Sequence, residues 1–161
     1  NFFIEKETLI KKEFSRIMSR KDRTKKMSKS ELSDLSRINL TDEKDQIVNK
    51  IKKAKTDPLP MPSNLDELNK RPEAKNLVNI YSSISDTTIE KTINEFSGKN
   101  FSVFKDMLSQ VLTDKISPIS SEIKKLLNEK NFLDQILLDG SKKAENLASK
   151  KVRKIHEIVG F

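Results

Sequence analysis

Apolar residues in the larger, C-terminal part of the chain recur every three or four positions, which is the spacing of one face of an α-helix. The longest such run covers residues 100–129 and contains Pro118, which should kink or split the helix. The other helices are predicted from Thr41 to about Lys55, from Pro72, from Thr87 or Thr88 to Gly98, from Phe132 to Gly140, and as further helices up to the C-terminus.

The same pattern sets the expected fold class. No strand-like alternation of apolar and polar residues appears after residue 40, and the chain has only 3 glycines and 5 prolines. Pro58, Pro60 and Pro62 predict an extended connector, because proline fits neither a helix interior nor a central strand. We therefore expect a mainly α protein in which residues 41–161 form an antiparallel helix bundle.

Positive charge is concentrated in two short segments. The formal net charge is +8, and residues 20–30 and 142–154 each contain six basic residues and one acid. Segments of this kind attract phosphate-rich partners, although two solvated faces would have the same composition. Residues 20–30 are too charged to pack and are predicted to be an exposed loop.

Several kinds of site are excluded or disfavoured. The chain has no cysteine, which excludes disulfides and thiolate metal sites, and its one histidine, His156, is a weak candidate ligand. No apolar run reaches the ~18 residues of a membrane span, and no signal peptide is visible. No residue is predicted to bind a metal directly.

The segment most suggestive of chemistry is Lys26-Met27-Ser28-Lys29-Ser30. Two ammonium groups and two hydroxyl groups in an exposed loop can hold the phosphates of ATP. They can also stabilise the charge that develops on a pyrophosphate leaving group. On these five residues alone, a nonspecific basic run is an equally good interpretation.

With its surroundings, this loop resembles the class I tryptophanyl-tRNA synthetase family, of which the five-residue segment is the signature. The loop departs from the usual family pattern in two ways: Arg20 and Arg23 make it more basic, and Glu31-Leu32 replaces Asp-Pro. Further similarities occur, in order, at residues 16–19, 24–25, 33–42, 51–57, 71–74, 76–77, 80–81 and 158–161.

The resemblance implies a tryptophan–tRNA ligase, which activates tryptophan with ATP and Mg²⁺ and transfers it to tRNA(Trp). By position, Lys26, Ser28 and Lys29 would hold the ATP phosphates, with the two lysines acting in catalysis. Ile17 and Met27 would flank the adenine, largely through backbone groups.

The resemblance also implies a domain organisation. Residues 1–40 would be the C-terminal remnant of an α/β nucleotide-binding catalytic domain, and residues 41–161 the helical anticodon-binding domain. The tryptophan pocket would belong to a missing N-terminal half, so the chain alone is expected to be inactive. The full-length enzyme is expected to be a homodimer in a bacterial-type cytoplasm, with an organelle also compatible and no membrane association.

Two alternatives remain open on the sequence. A stand-alone helical nucleic-acid-binding module explains the basic segments and the bundle, but not the ordered similarities around the loop. A structural bundle without a ligand would make the basic segments solvated faces. If tRNA is the partner, residues 142–154 are our candidate phosphate contact, which would set affinity rather than sequence preference.

Overall fold

The structure is a computed structural model that describes residues 33–160. No strand occurs among these residues, so the mainly α prediction is confirmed for this part of the chain. A 3-10 turn at Asp34–Ser36 precedes six helices: α1 (Lys44–Lys52), α2 (Leu65–Asn69), α3 (Pro72–Ile84), α4 (Ile89–Phe96), α5 (Phe101–Asn128) and α6 (Lys130–Val159).

Local sequence signals account for several helix ends. Pro72 opens α3, where the N–H that proline lacks would have no helical partner. The Thr88 hydroxyl accepts a hydrogen bond from the Lys91 N–H at 3.3 Å and caps α4. Gly98 follows α4 with φ +70°, a conformation that costs glycine little. These three predictions are confirmed.

The predicted N-cap of α1, Thr41, is wrong, because Glu43 occupies that position. The Asp42 N–H donates to the Asn39 carbonyl at 3.1 Å and holds a turn just before the helix. The Gln46 side chain then accepts a hydrogen bond from the Glu43 N–H at 2.8 Å. This bond satisfies one of the backbone donors that have no partner within the helix.

The two C-terminal helices are continuous at positions where the sequence predicts interruptions. α5 continues through Pro118, so the predicted possibility of a split is wrong, because the loss of one backbone hydrogen bond does not end a 28-residue helix. α6 likewise continues through Gly140, which does not have the positive φ of a helix-ending glycine. The left-handed cap is Gly160, with φ +84°. The short α2 has no counterpart among the predicted helices.

The chain divides into two compact units between Ser120 and Ser121, and the first contains the hydrophobic core. Rings from α3, α4 and α5 meet there, with centroid distances of 5.3 Å for Tyr81–Phe96, 5.0 Å for Phe96–Phe104 and 5.6 Å for Tyr81–Phe104. The pairs Tyr81–Phe96 and Phe96–Phe104 are edge-to-face, and such contacts add to the gain from burial. The other buried apolar residues are Ile47, Ile51, Ala54, Met61, Leu68, Ala74, Leu77, Val78, Ile93, Phe101, Leu108, Leu112 and Ile116.

The second unit contains the end of α5 and all of α6, and no residue of α6 is buried. In the antiparallel bundle predicted for residues 41–161, the apolar side chains of α6 would be covered. Because no residue of α6 is buried, this bundle stays a prediction. No helix within residues 33–160 is long and apolar enough to cross a membrane. The exposed large apolar residues of this unit are Leu127, Phe132, Ile136, Leu137, Leu138, Leu147, Val152, Ile158 and Val159.

Candidate functional site

The described residues begin three positions after the predicted phosphate loop. The structure therefore shows the segment that follows the loop, residues 33–42, and how it is attached to the helices. The residues predicted to contact ATP lie outside the described part of the chain: Ile17, Lys26, Met27, Ser28 and Lys29.

A buried lysine joins this segment to α1. The Lys50 ammonium nitrogen lies 2.6 Å from Asp42 Oδ2 and 2.5 Å from Asp34 Oδ2. The side chains of Lys50 and Asp42 are each 5% exposed, whereas that of Asp34 is 51% exposed. A lysine is almost never buried to this extent unless its charge is paired, and here two carboxylates share it.

Arg37 and Asn39 complete what we call the Lys50 cluster: Asp34, Arg37, Asn39, Asp42 and Lys50. Arg37 Nη2 lies 3.3 Å from Asp34 Oδ1, and the Asn39 side-chain amide donates to the same oxygen at 2.8 Å. The Asn39 backbone N–H donates to Asp42 Oδ2 at 2.9 Å. Hydrogen bonds from Lys50 and then from Asn39 hold the pKa of Asp34 below its ordinary value, against the opposing effect of burial.

A second polar centre fixes the proline-rich connector. Arg71, just before α3, donates from Nε to Asp57 Oδ2 at 2.9 Å and from Nη2 to Asp57 Oδ1 at 2.5 Å. The same guanidinium donates to the carbonyls of Leu59 at 3.2 Å and Pro60 at 2.6 Å, and lies 5.4 Å from the centre of the Phe101 ring. One side chain thus binds several groups of a segment that has no helical hydrogen bonds of its own.

The pKa of Asp57 also lies below its ordinary value. Burial is the largest single influence and raises this pKa, but the hydrogen bonds from Arg71 and the Leu59 N–H, with the charge of Arg71, outweigh it. The Leu59 N–H donates to Asp57 Oδ1 at 3.0 Å. Asp57 is therefore ionised and fully engaged at neutral pH, which suits a structural role rather than proton transfer.

The C-terminal basic segment lies on α6. At 100° per residue, Lys143, Lys150 and Lys154 fall within about 40° of one another and extend over about 16 Å of the helix axis. A row of cations on this scale can follow a nucleic-acid backbone. We call the exposed basic residues of this segment the α6 basic surface: Lys142, Lys143, Lys150, Lys151, Arg153 and Lys154.

The sequence interpretation missed the Lys50 cluster and the contacts of Arg71. One signal could have marked Lys50, because it lies on the same helical face as Ile47, Ile51 and Ala54, all of which are buried. A lysine on an apolar face requires a nearby acid. Nothing in the spacing along the chain indicates which acid that is.

Comparison with known proteins identifies the family. Residues 1–116 match the family model described as tRNA synthetases class I (W and Y). The chain is 47% identical over 146 residues to the Tryptophan–tRNA ligase of Agrobacterium fabrum, which covers 91% of this chain and 41% of that protein. It is 46% identical over 160 residues to the corresponding ligase of Rhizobium meliloti, covering 99% of this chain and 45% of that protein.

The fold agrees with this assignment. The tryptophanyl-tRNA synthetase of Mycoplasma pneumoniae superposes with a TM-score of 0.73 at 24% identity, over 94% of this chain and 47% of that structure. Sequence and fold together define a helical part of an aminoacyl-tRNA synthetase. The chain belongs to the class I tRNA synthetases of the W and Y family, which confirms the resemblance found from the sequence. It spans less than half the length of the curated relatives that it matches.

Proposed function

We propose that this chain is the C-terminal part of a tryptophan–tRNA ligase, which activates tryptophan with ATP and transfers it to tRNA(Trp). The observation that carries this proposal is the 46–47% identity to curated Tryptophan–tRNA ligases over 91–99% of the chain. Because the similarity covers nearly the whole chain, it supports a role for both the phosphate loop and the helices.

In this proposal, residues 1–40 belong to the catalytic domain and bring the phosphate loop to ATP. Lys26, Ser28 and Lys29 hold the phosphates, while Ile17 and Met27 flank the adenine. When the tryptophan carboxylate attacks the α-phosphorus and the bond to pyrophosphate breaks, the two ammonium groups stabilise the charge on the departing pyrophosphate. Mg²⁺ accompanies the ATP phosphates in this proposal, as the family resemblance implies.

Residues 41–161 form the anticodon-binding domain in this proposal, within a homodimeric enzyme of a bacterial-type cytoplasm. The α6 basic surface contacts tRNA phosphates. Such contacts release counterions, so they set affinity and its salt dependence, whereas base contacts select the anticodon.

One alternative has an observation in its favour. The α6 basic surface lies on a helix that buries no residue, and it contains six exposed cations. A stand-alone nucleic-acid-binding module would need little more than this surface. It would bind many RNAs alike and lose affinity steeply with salt.

Binding of the full chain to tRNA(Trp), in competition with the same tRNA carrying an altered anticodon, tests the proposal at two salt concentrations. We expect the native anticodon to be preferred at both. Equal binding of the two tRNAs that disappears at the higher salt would favour the stand-alone module, because charge attraction alone does not distinguish anticodons.

A matched pair of triple variants locates the contact. The α6 variant replaces three lysines of the basic surface by Glu: Lys143, Lys150 and Lys154. The control variant replaces three exposed lysines outside α6 by Glu: Lys44, Lys91 and Lys115. The change in net charge is identical. We expect the α6 variant to weaken tRNA binding by at least about tenfold and the control variant to weaken it by much less. Salt screens charges that are far from the tRNA, so only lysines that neutralise a phosphate directly contribute strongly. Equal losses would remove α6 from the proposed interface.

A further inference from the structure

We propose that Lys50 and Asp34 are positioning residues for the phosphate loop. Their ion pair ties Asp34, in the segment that follows the loop, to Lys50 on α1. The inference rests on the proposed phosphate role of the loop and adds a role for two residues that lie outside it. The geometry that carries it is the single buried ammonium group shared by Asp42 and Asp34 at 2.6 and 2.5 Å.

The two carboxylates do different things. Asp42 is buried with Lys50, and this pair alone satisfies the charge of a lysine on the apolar face of α1. Asp34 is half exposed and has no need of Lys50 for its own solvation. The ion pair between Asp34 and Lys50 is therefore additional to the buried pair. Its structural effect is to tie the segment that follows the loop to α1.

Asp34 is close in sequence to the groups that it would position. Lys29 precedes Asp34 by five residues, so an extended chain places their Cα atoms at most about 17 Å apart. On the other side, Lys50 lies on a helix whose neighbouring residues Ile47 and Ile51 are fully buried in the core. The ion pair between Asp34 and Lys50 is thus one link between this helix and the segment after the loop, beside the burial of Ser36 and the packing of Ile38 against the core.

The charge balance also suits a neighbour of phosphate. The Lys50 cluster contains two carboxylates and two cations, Lys50 and Arg37, so it adds no net repulsion toward an anion. Loss of Lys50 would leave a net negative charge beside the loop and would also release Asp34. Loss of the Asp34 charge would remove this link between the segment and α1 without adding negative charge.

The absence of cysteine from the chain allows the anchor to be measured directly. Nitroxide labels at Glu31→Cys and Asp45→Cys report the distance between the end of the loop and the exposed first turn of α1. This distance distribution is recorded by pulsed electron paramagnetic resonance with each of Asp34→Asn, Asp34→Glu, Lys50→Met and, as control, Asp134→Asn on exposed α6. In parallel, unlabelled variants are titrated with inorganic pyrophosphate, with Lys26→Ala/Lys29→Ala as the reference for loss of the loop lysines.

We expect Asp34→Asn to broaden or shift the distance distribution and to weaken pyrophosphate binding by about two- to fivefold, the range of one partly exposed ion pair. Lys50→Met should have a larger effect on both. Asp34→Glu keeps the charge, so its distance distribution and its pyrophosphate affinity should be close to those of the wild type. Asp134→Asn should change neither the distance distribution nor the affinity. Because Asp34→Asn leaves the buried Lys50–Asp42 pair intact, it should keep the fold even where Lys50→Met does not.

The outcomes separate this inference from the proposed function. An unchanged distance distribution in Asp34→Asn would overturn the positioning role, whether or not the affinity for pyrophosphate changes. A changed distribution together with no pyrophosphate binding by the wild-type chain would support the anchor and reject the phosphate role of the loop in this chain. A changed distribution with unchanged pyrophosphate affinity would overturn the functional part of the inference, since the anchor would then be structural only.

Discussion

Arg71 and Asp57, 14 residues apart in the sequence, meet through two parallel hydrogen bonds of 2.9 and 2.5 Å between a guanidinium and a carboxylate. The same guanidinium also binds the Pro60 carbonyl at 2.6 Å. This joint connects the start of α3 to the proline-rich connector. It is specific to arginine, because only a planar fork of N–H donors can satisfy all of these acceptors together.

Arg71→Lys should therefore destabilise the protein although the charge is kept. Lysine cannot form the two parallel bonds to Asp57 and would leave the Pro60 carbonyl without its donor. We expect a loss of about 2 kcal/mol in the free energy of unfolding. Urea denaturation measures it, with Arg153→Lys on exposed α6 as the matched control. Equal stability of the two variants would show that the fork contributes nothing beyond charge.

The lowered pKa of Asp57 predicts how stability depends on acid. Since the pKa of this carboxyl is lower in the folded state, the unfolded state binds more protons as the pH falls, and the stabilisation is lost through the folded pKa. The stabilisation is fully present above the ordinary pKa of an aspartate, at about 4. The stability difference between wild type and Asp57→Asn should stay constant from about pH 5 to 7 and shrink below about pH 4. Urea denaturation at several pH values tests this, and a difference that stays constant down to pH 3 would contradict it.

A comparison of two phenylalanines tests which unit contains the core. Phe104 is 0% exposed and touches the rings of Tyr81 and Phe96, whereas Phe132 on α6 is 50% exposed. Phe104→Ala should cost about 3–5 kcal/mol, because it opens a cavity in packed surroundings. Phe132→Ala should cost less than about 1 kcal/mol. Thermal or urea unfolding of both variants gives the comparison, and a large cost at Phe132 would show that α6 is covered in solution.

Two glycines predict opposite effects of the same substitution. A Cβ at Gly98 or at Gly140 would meet no atom within 4 Å, so sterics with neighbours do not distinguish them. Gly140 lies inside α6, and alanine there should stabilise the helix by about 0.5–1 kcal/mol. Gly98 has φ +70°, and alanine there should destabilise by about 1 kcal/mol. Circular dichroism during thermal unfolding measures both. The same sign for the two variants would contradict the assigned backbone conformations.

The proposed division of labour predicts that this chain does not activate tryptophan by itself. Tryptophan-dependent exchange of pyrophosphate into ATP should stay at the background level of a no-enzyme control. This chain covers only 41–45% of the length of its longer relatives. The tryptophan pocket is expected in the part of those relatives that the chain does not cover. A full-length ligase of the same family is the positive control. Exchange well above background would place a complete activation site within these 161 residues.

The sequence by itself determined the features that depend on neighbouring residues. The start of α3 at Pro72, the Thr88 cap of α4 and the turn at Gly98 follow from restrictions that act within one turn of the chain. The length of α5 follows from its apolar period, apart from the effect of Pro118. The lysine loop and its ordered similarities were sufficient for the family, which the comparisons confirm.

Only the tertiary structure decided which side chains lose contact with water and what they meet. Lys50 is one of several lysines near the end of α1, yet it is the one paired with Asp34 and Asp42. The apolar stripe of α6 predicts a covered face, but the structure shows no buried residue there. The physical reason is that periodicity identifies the face of a helix, whereas burial and ion pairing depend on the groups that the rest of the fold places opposite that face.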